Sequence, residues 1–342
     1  MPSDATVLVC TIFSLAAAGA VFSAKTAALR GTGGEPFPPW LDKLCRLAFL
    51  ALLFLPIAAW ELLPRVPLAI SFLAYLPSFL DGTEKTGTRV SPWVRDWAIW
   101  RWFKRRLGLK VIRTVPLDPR KQYIFGVHPH GILPFGAMIN FCTNVNGAAE
   151  LLSVEVRVLA ASFCFYVPFY RDLLLAGGGC DAARYCARGL LETHGKSLML
   201  VPGGATEALY ASKGRHTLVL RKRRGFVRLA MQTGAALVPS YSFGENDTYT
   251  QFSSDSGLIS KAKKSFQAVF GISLPLISNV LPHKCDITSV IGKPIEVAQV
   301  KEPTDEQVAA LLERYIAAVT ALFDEHKQAI LGDDFTGKLE IL

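Results

Sequence analysis

The stretch that decides the fold is residues 123–135, which read YIFGVHPHGILPF. Its first five residues are apolar, aromatic or β-branched, which is typical of a buried strand. His128-Pro129-His130-Gly131 ends that strand, because Pro129 lacks a backbone donor and Gly131 tolerates a positive φ. Two imidazoles are therefore predicted at the carboxyl end of a strand, where α/β proteins usually place their chemistry.

Three interpretations of the two histidines compete at this point. A turn whose imidazoles hydrogen-bond to nearby backbone requires no function. A metal site is disfavoured, because no third ligand with a familiar spacing accompanies His128 and His130. A general base beside a bound hydroxyl substrate is the third interpretation, since imidazole takes up a proton near neutral pH.

A second strand and turn repeat this design further along the chain. Residues 197–201 read SLMLV, a buried-strand pattern that ends in a Pro-Gly-Gly turn. Gly203 and Gly204 allow backbone N–H groups to approach a ligand oxygen. Glu207 follows and is either a carboxylate favoured by the start of a helix or a functional acid. The turn therefore supplies candidate oxyanion donors and one candidate acid.

A basic cluster opens the next predicted helix. Its members are Arg221, Lys222, Arg223, Arg224 and Arg228. Cations at the positive start of a helix are electrostatically misplaced unless an anion binds there. The cluster therefore predicts a phosphate-bearing ligand, and a solvated basic face is the alternative interpretation.

The amino-terminal third of the chain is strongly apolar and predicts association with a membrane. Residues 1–40 combine an apolar segment at 7–22 with a Gly/Pro linker, and the sequence leaves open whether that segment crosses a bilayer. Residues 41–82 hold two apolar runs, 47–60 and 66–80, which are too short for straight spans and are interrupted by proline. We expect a helical hairpin that dips into the membrane, and a soluble helical pair is the alternative.

Composition and charge favour the same partner. Hydrophobic residues make up 51% of the 342 residues, and the net charge is +9. Residues 81–121 carry eleven cations against four anions, an excess of seven, together with Trp93, Trp97, Trp100 and Trp102. Basic residues beside membrane segments mark the cytosolic side, and tryptophan suits the headgroup layer. A membrane surface is therefore favoured over a nucleic acid, since no RNA-binding motif accompanies these aromatic residues.

The remaining predicted elements alternate between helices and strands, as in an α/β domain. Helical spacing is found at residues 132–141, 181–194 and 308–330, the last opened by a capping box of Thr304 and Gln307. Strands are expected at residues 154–160, 217–220, 236–239 and 286–291. The aromatic run at 163–170 suits the wall of an apolar pocket, and core packing is the alternative for each of its rings.

Four motifs together resemble the type-2 diacylglycerol acyltransferase family, which includes monoacylglycerol and wax-alcohol acyltransferases. In chain order they are YIFGVHPHGI at 123–132, VPGGATEAL at 201–209, RKRRGFVRLAMQTGAALVPSYSFGEND at 221–247 and IGKPI at 291–295. The resemblance implies transfer of an acyl chain from acyl-CoA to a lipid hydroxyl, at the endoplasmic reticulum membrane and on lipid droplets. It also implies a glycerolipid-acyltransferase-like mixed sheet flanked by helices, with residues 83–342 as a cytosol-facing acyltransferase domain behind the membrane hairpin.

The resemblance places the active-site block at residues 128–131. One departure concerns the partner of the histidine. Broader glycerolipid acyltransferases have an aspartate five residues after their histidine, whereas this chain has Phe135 at that distance from His130. We therefore expect Glu207 to supply the orienting carboxylate, with His128 as a supporting residue.

Direct transfer is the expected mechanism, with acyl-CoA as co-substrate and no metal or other cofactor. His130 is expected to deprotonate the acceptor hydroxyl, with backbone donors at Gly131, Gly203 or Gly204 for the oxyanion and the basic cluster for the CoA phosphates. Diacylglycerol is the expected acceptor, and monoacylglycerol or a long-chain alcohol is the first alternative. A non-catalytic lipid-droplet protein is the alternative from a different class. No nucleic-acid partner is expected, and a homo-oligomer is left open.

Overall fold

The computed structural model describes residues 40–48, 50, 65–251 and 279–342. These residues form a seven-stranded sheet and a two-stranded sheet, with helices packed on both faces of the larger one. The strands are β1 (Lys110–Arg113), β2 (Tyr123–His128), β3 (Val156–Ala160), β4 (Gly179–Asp181), β5 (Ser197–Leu200), β6 (Thr217–Leu218), β7 (Ala236–Phe243), β8 (Thr288–Ile291) and β9 (Glu340–Ile341). The α-helices are α1 (Arg65–Phe79), α2 (Thr83–Thr86), α3 (Pro92–Arg95), α4 (Ala98–Arg106), α5 (Phe135–Cys142), α6 (Ala148–Leu152), α7 (Tyr170–Gly177), α8 (Arg184–Glu192), α9 (Ala205–Ala208), α10 (Gly225–Thr233) and α11 (Asp305–Leu331).

The larger sheet has the strand order β1-β8-β7-β2-β5-β3-β4, so β2 lies at its centre. β2 runs parallel to both β5 and β7, and β3 and β4 extend the parallel part. β8 runs antiparallel to β7, and β1 pairs with β8 in the parallel direction. The sheet is therefore mixed. The prediction of a mixed α/β fold is confirmed. Because β2, β5 and β7 are parallel, the turns that follow them meet at one edge of the sheet.

Alternate side chains of β2 face opposite helical layers, as the two-residue period of a strand requires. Tyr123, Phe125 and Val127 pack in the cluster that contains residues of α5. Ile124 packs in the opposite cluster, which is built around α11. His128 belongs to this second set, so the strand itself directs its ring toward α11.

The long helix α11 closes the core on that side. Its start is fixed by the predicted capping box: Gln307 N–H donates to the Thr304 side chain, and Thr304 N–H donates to the Gln307 side chain. Such a cap contributes about 1 kcal/mol to stability. Tyr315, Val319 and Phe323 are fully buried against the sheet. The predictions of a helix over 308–330 and of its capping box are therefore confirmed.

The aromatic run at 163–170 differs from its prediction. Residues Ser162–Tyr166 form a 3₁₀ helix in which only Phe165 is buried. Tyr166 and Phe169 are 70% and 59% exposed, and their rings lie 6.5 and 6.0 Å from those of Phe79 and Tyr75 on α1. Core packing holds for Phe165 and in part for Tyr170, which packs against the same cluster, whereas the rings of Phe163, Tyr166 and Phe169 lie on the surface rather than in a pocket wall. The reason is that they rest on a helix whose own outer face is apolar. We call Tyr75, Phe79, Phe163, Tyr166 and Phe169 the aromatic patch.

The basic, tryptophan-rich stretch at 81–121 is used partly inside the protein. Trp102 is 2% exposed, and its Nε1–H donates to Asp42 at 2.7 Å. Arg95 donates to the Gly177 and Phe141 carbonyls, and Lys104 donates to Val145 O. Trp93 remains half exposed. The headgroup-layer prediction thus does not hold for Trp102, because its ring is needed in the core.

The predicted membrane hairpin is only partly described. Its second run forms α1, with Pro77 inside the helix and with Ile70 and Leu73 each more than 60% exposed. Most of its first run, and the segment at 7–22, lie outside the described residues. Among the helices described, none has both the length and the apolarity to cross a membrane. The hairpin and the division into domains at 1–40, 41–82 and 83–342 stay predictions.

Candidate active site

His128 is the last residue of β2 and is completely buried. Its Nε2 lies 2.9 Å from the Tyr315 hydroxyl, which itself donates to Gly126 O at 3.0 Å. A phenol has one proton, so the proton that Tyr315 gives to Gly126 leaves its oxygen to accept from His128 Nε2–H. The Nε2 of His128 is therefore a donor held inside the core, which disqualifies it as the base.

His130 lies two residues further on and is partly exposed at the same edge of the sheet. Its Nδ1 lies 3.0 Å from Gly131 O. A carbonyl only accepts, so Nδ1 carries the hydrogen and Nε2 keeps the lone pair in the neutral ring. Burial lowers the pKa of the His130 imidazole below its ordinary value, while the Gly131 carbonyl and the nearby Glu207 act in the opposite direction. The ring is thus neutral at physiological pH and suited to accept a proton through Nε2.

Glu207 is buried beside both histidines, although β2 and α9 are far apart in the chain. Its Oε2 accepts the backbone N–H of His130 at 2.9 Å, and its Oε1 accepts Val219 N–H at 2.9 Å. The same Oε1 lies 3.8 Å from His128 Nδ1, too far for a hydrogen bond. Glu207 therefore holds the main chain of the turn, whereas the ring of His130 is oriented by Gly131 O. This differs from the expectation that Glu207 would orient the His130 ring.

The Pro-Gly-Gly turn after β5 packs against that carboxylate. A Cβ on Gly203 would lie 2.0 Å from the Glu207 carboxyl carbon, so only glycine leaves room for it. Gly204 N–H donates to Val201 O at 3.1 Å. That bond corrects the expectation for Gly204, because an N–H engaged within its own turn does not serve as an oxyanion donor. Gly131 has a φ of +62° and turns the chain away from His130.

The basic cluster divides into two groups. Arg223 Nη2 donates to Gly203 O at 2.9 Å and to the Thr206 hydroxyl at 2.7 Å. Arg228 donates to Pro303 O at 2.7 Å and forms a salt bridge with Asp305. Arg221, Lys222 and Arg224 are exposed. Arg221 also lies 3.8 Å from a Glu313 carboxylate oxygen, in an exposed ion pair. Three of the five predicted phosphate ligands thus contact other protein groups, and Arg223 ties the cluster to the turn that holds Glu207.

Two site residues escaped sequence reasoning. Tyr315 is one buried aromatic among many on α11, and no local pattern distinguishes it. Glu245 is 1% exposed and lies beside Gly131, where a Cβ would come within 3.0 Å of its Cγ. It was visible as the single acidic residue of the run SFGEN at 242–246, where β7 ends, but a carboxylate in a loop is usually solvated. A cavity of about 190 Å³ lies beside this region and is lined in part by Pro129, His216 and Glu245.

The described ranges contain no group of three or more His, Cys, Asp or Glu side chains that is arranged to hold a metal ion. The edge of the sheet carries a neutral imidazole, His130, and a buried carboxylate, Glu207, that accepts the backbone N–H of that histidine. Exposed cations follow in the basic cluster. A neutral imidazole of this kind can accept a proton, and exposed cations can bind an anionic co-substrate.

Comparison with known proteins places this arrangement in a family. A family model described as diacylglycerol acyltransferase matches residues 57–339, which include both turns, the basic cluster and α11. The chain belongs to the diacylglycerol acyltransferase family. The family resemblance noted in the sequence, and with it the prediction that the protein is an acyltransferase, is confirmed.

Three curated relatives illustrate the range of this diacylglycerol acyltransferase family. Diacylglycerol O-acyltransferase 2 of Dictyostelium discoideum is 37% identical over 286 residues, which cover 80% of this chain and 86% of the relative. 2-Acylglycerol O-acyltransferase 1 of Bos taurus is 38% identical and covers 72% of this chain and 77% of its own length. Acyl-CoA wax alcohol acyltransferase 1 of Homo sapiens is 36% identical, with 76% and 83% covered.

Proposed function

We propose that this protein transfers a fatty acyl chain from acyl-CoA to the free hydroxyl of diacylglycerol, with His130 as the general base. The observation that carries the proposal is the hydrogen bond between His130 Nδ1 and Gly131 O, which leaves Nε2 as the acceptor of a proton. In this mechanism Nε2 removes the hydroxyl proton as the acceptor oxygen attacks the thioester carbonyl. The CoA thiolate then leaves and takes up the proton from the imidazolium. General base catalysis of this kind contributes about 10²–10⁴-fold in rate.

The donor side of the reaction rests on the basic cluster. Arg221, Lys222 and Arg224 are exposed cations that follow the turn carrying Glu207, so they can reach the phosphates of acyl-CoA near the histidine. Arginine binds phosphate through two parallel hydrogen bonds, which suits this task. In this proposal Arg223 contributes indirectly, by holding Gly203 O.

The acceptor side is lipid, and the aromatic patch supports a lipid surface as its source. Tyr166 and Phe169 are exposed rings beside the apolar outer face of α1. Beneath them, Phe165 packs with Met138 of α5, the helix that follows the catalytic turn. We infer that this face contacts the endoplasmic reticulum membrane or a lipid droplet, with the acyltransferase domain on the cytosolic side.

A second candidate acceptor class comes from the relatives. The proteins named for diacylglycerol, 2-acylglycerol and wax alcohol are 37%, 38% and 36% identical to this chain. Such nearly equal values do not discriminate among acceptors, so monoacylglycerol or a long-chain alcohol is the alternative. Both alternatives use the same base and the same co-substrate.

The test is an acceptor panel with the membrane-bound full-length protein. Microsomes that contain wild type, His130→Ala or His194→Ala receive labelled acyl-CoA with diacylglycerol, monoacylglycerol or a long-chain alcohol. We expect wild type and His194→Ala, whose histidine is exposed before the amino end of β5, to label triacylglycerol. We expect His130→Ala to be inactive at wild-type protein levels. Activity of His130→Ala near that of wild type would refute the assignment of the base, and labelling of another acceptor alone would replace diacylglycerol.

A further inference from the structure

Glu245 is a buried carboxyl group that the proposed reaction does not use. It opens the 3₁₀ turn Glu245–Asp247 directly after β7 and is 1% exposed. Its Oε2 accepts the N–H of Gly136, in the first turn of α5, at 2.9 Å. Its Oε1 is buried and has no hydrogen-bond partner within the described part of the chain. A carboxylate with one unpaired, desolvated oxygen is costly in its charged form.

The position of Glu245 links it to the catalytic turn. A Cβ built on Gly131 would lie 3.0 Å from Glu245 Cγ and 3.3 Å from its carbonyl oxygen, so the side chain packs directly against the turn. The other end of the same side chain holds Gly136. Glu245 therefore touches both ends of the segment 131–136, which connects His130 to α5. That segment also contains Gly131 O, the acceptor that sets the tautomer of His130.

Its surroundings favour the neutral acid. Burial raises the pKa of the Glu245 carboxyl to about 8, while the N–H groups of Gly136 and Phe135 act in the opposite direction. The segments packed around it also carry other titratable or charged groups, namely His130, Lys213, His216, Tyr241, Asp247, Cys285 and Asp286.

We propose that Glu245 is a positioning residue that acts as a neutral carboxylic acid, fastening the start of α5 to the catalytic turn and thereby fixing the His130 ring. The inference rests on the proposed role of His130. Ionisation places a buried charge with one unpaired oxygen between the turn and α5, which loosens the segment and removes the alignment of the base. Activity and stability therefore both decline when the acid loses its proton.

The isosteric variant Glu245→Gln separates the neutral acid from the carboxylate. Its amide oxygen can accept Gly136 N–H, and it does not titrate. We expect its kcat at pH 7 to stay within about threefold of wild type, a difference below 1 kcal/mol. We expect wild-type kcat to fall above about pH 8, and this fall to be absent in Glu245→Gln. Glu245→Ala, which removes both contacts, should lower kcat by about 10–100-fold with little change in KM for acyl-CoA.

Thermal unfolding supplies a readout that does not depend on activity. The folded-state pKa of about 8 lies above the ordinary value of 4.5, so the native state holds the proton more tightly than the unfolded state does. Stability therefore falls as pH rises from about 4.5 to about 8. We expect Tm to fall more between pH 5 and pH 9 in wild type than in Glu245→Gln. The exposed residue Glu302, changed to Gln, is the matched control and should leave both profiles unchanged.

Three results would overturn the inference. The first is an alkaline fall in kcat that persists in Glu245→Gln. The second is a Glu245→Gln variant as inactive as Glu245→Ala. The third is failure of Glu245→Gln to fold although it is isosteric. If His130→Ala is fully active, the proposed base is wrong. In that case the pH dependence of Tm still decides whether Glu245 is a neutral acid in the fold.

Discussion

The two histidines of the catalytic turn differ in what their ring nitrogens contact. His128 Nε2 is engaged with Tyr315, whereas His130 Nδ1 is engaged with its neighbour's carbonyl and leaves Nε2 available. Burial lowers the pKa of His130, so its neutral form, and with it the proposed base, should persist below pH 6.5. One residue type in the same motif thus has two roles, and the difference comes from single hydrogen bonds.

Tyr315→Phe tests the supporting role of His128. The change removes the hydroxyl that accepts from His128 Nε2 and donates to Gly126 O, and leaves the buried His128 N–H without that partner. We expect the free energy of unfolding to fall by about 1–3 kcal/mol. We also expect kcat to drop by about tenfold, which corresponds to ~1.4 kcal/mol of lost alignment. Denaturant titration and acyl-transfer assays check both values, with the exposed Tyr185→Phe as control. Unchanged stability and kcat would contradict the arrangement.

Gly203→Ala tests the close approach of the second turn to Glu207. The added methyl group would lie 2.0 Å from the Glu207 carboxyl carbon and must displace it from the backbone N–H groups of His130 and Val219. Overpacking of this kind costs about 1–3 kcal/mol of stability, and we expect transfer activity to be lost with it. The control is Gly225→Ala, where no heavy atom lies within 4 Å of the new Cβ. Equal thermal stability and activity of the two variants would exclude this role for Gly203.

Secondary-structure elements bring the site together through their directions. β2, β5 and β7 are parallel neighbours, so the histidine turn, the Glu207 turn and the Glu245 turn all leave the same edge of the sheet. The basic cluster follows as the start of α10, and Arg223 returns to the Glu207 turn. α1 lies on the outside with the aromatic patch. In the proposed mechanism, the basic cluster supplies the anion-binding side and the aromatic patch supplies the apolar side.

The aromatic patch is expected to contact lipid. Phe169 has a φ of +66°, which is unusual for an aromatic residue, and its ring is 59% exposed. We expect the double change Tyr166→Ser and Phe169→Ser to lower partitioning into lipid vesicles by about tenfold or more, since each buried ring contributes roughly 1.5–3 kcal/mol. Vesicle co-sedimentation measures this. Ile112→Ser, on the opposite edge strand β1, is the control, and equal partitioning of the two variants would reject a lipid contact here.

We expect the exposed cations of the basic cluster and Arg223 to affect different kinetic constants. Changing the exposed Arg221, Lys222 and Arg224 to Gln should raise KM for acyl-CoA by about tenfold with kcat nearly unchanged, because exposed cations each contribute only about 0.2–1 kcal/mol. Arg223→Gln should instead lower kcat, since it releases Gly203 O and the Thr206 hydroxyl. Steady-state kinetics with varied acyl-CoA compares the two variants. An unchanged KM in the triple variant would argue against phosphate binding at this helix.

The whole molecule carries its charge unevenly. Its net charge is +9, and residues 81–121 contribute an excess of seven cations. Arg95 and Lys104 of that stretch donate to backbone carbonyls inside the domain, so only part of the excess faces solvent. The remaining cations and the aromatic patch together suit an anionic lipid surface.

Binding of the whole protein to vesicles should therefore depend on salt. Raising ionic strength from about 0.1 M to about 1 M shortens the Debye length from ~10 Å to ~3 Å. We expect binding to anionic vesicles to weaken over this range and binding to neutral vesicles to change little. Co-sedimentation at several salt concentrations checks this, and identical salt profiles for the two kinds of vesicle would argue against an electrostatic contribution.

Local sequence was sufficient for much of the fold. The strand at 123–128, the Pro-Gly-Gly turn, the capping box at Thr304 and the long final helix follow from residue patterns that act over a few positions. The motif order was sufficient for the family. Predictions failed where burial depends on distant contacts: Trp102 is packed in the core, and the rings of Tyr166 and Phe169 rest on α1 at the surface.

The roles inside the site required the tertiary structure. The sequence indicated His130 as the base, His128 as a supporting residue and Glu207 as the orienting acid, but it did not give their hydrogen-bond partners. Tyr315, 187 positions from His128, engages one imidazole, and Glu207 reaches the backbone rather than the ring of the other. Glu245 becomes a neutral acid only because folding buries it against Gly131 and Gly136. Hydrogen-bond partners and desolvation arise between elements that are remote in the chain, and a local pattern therefore contains the reactive groups but not their protonation states or their partners.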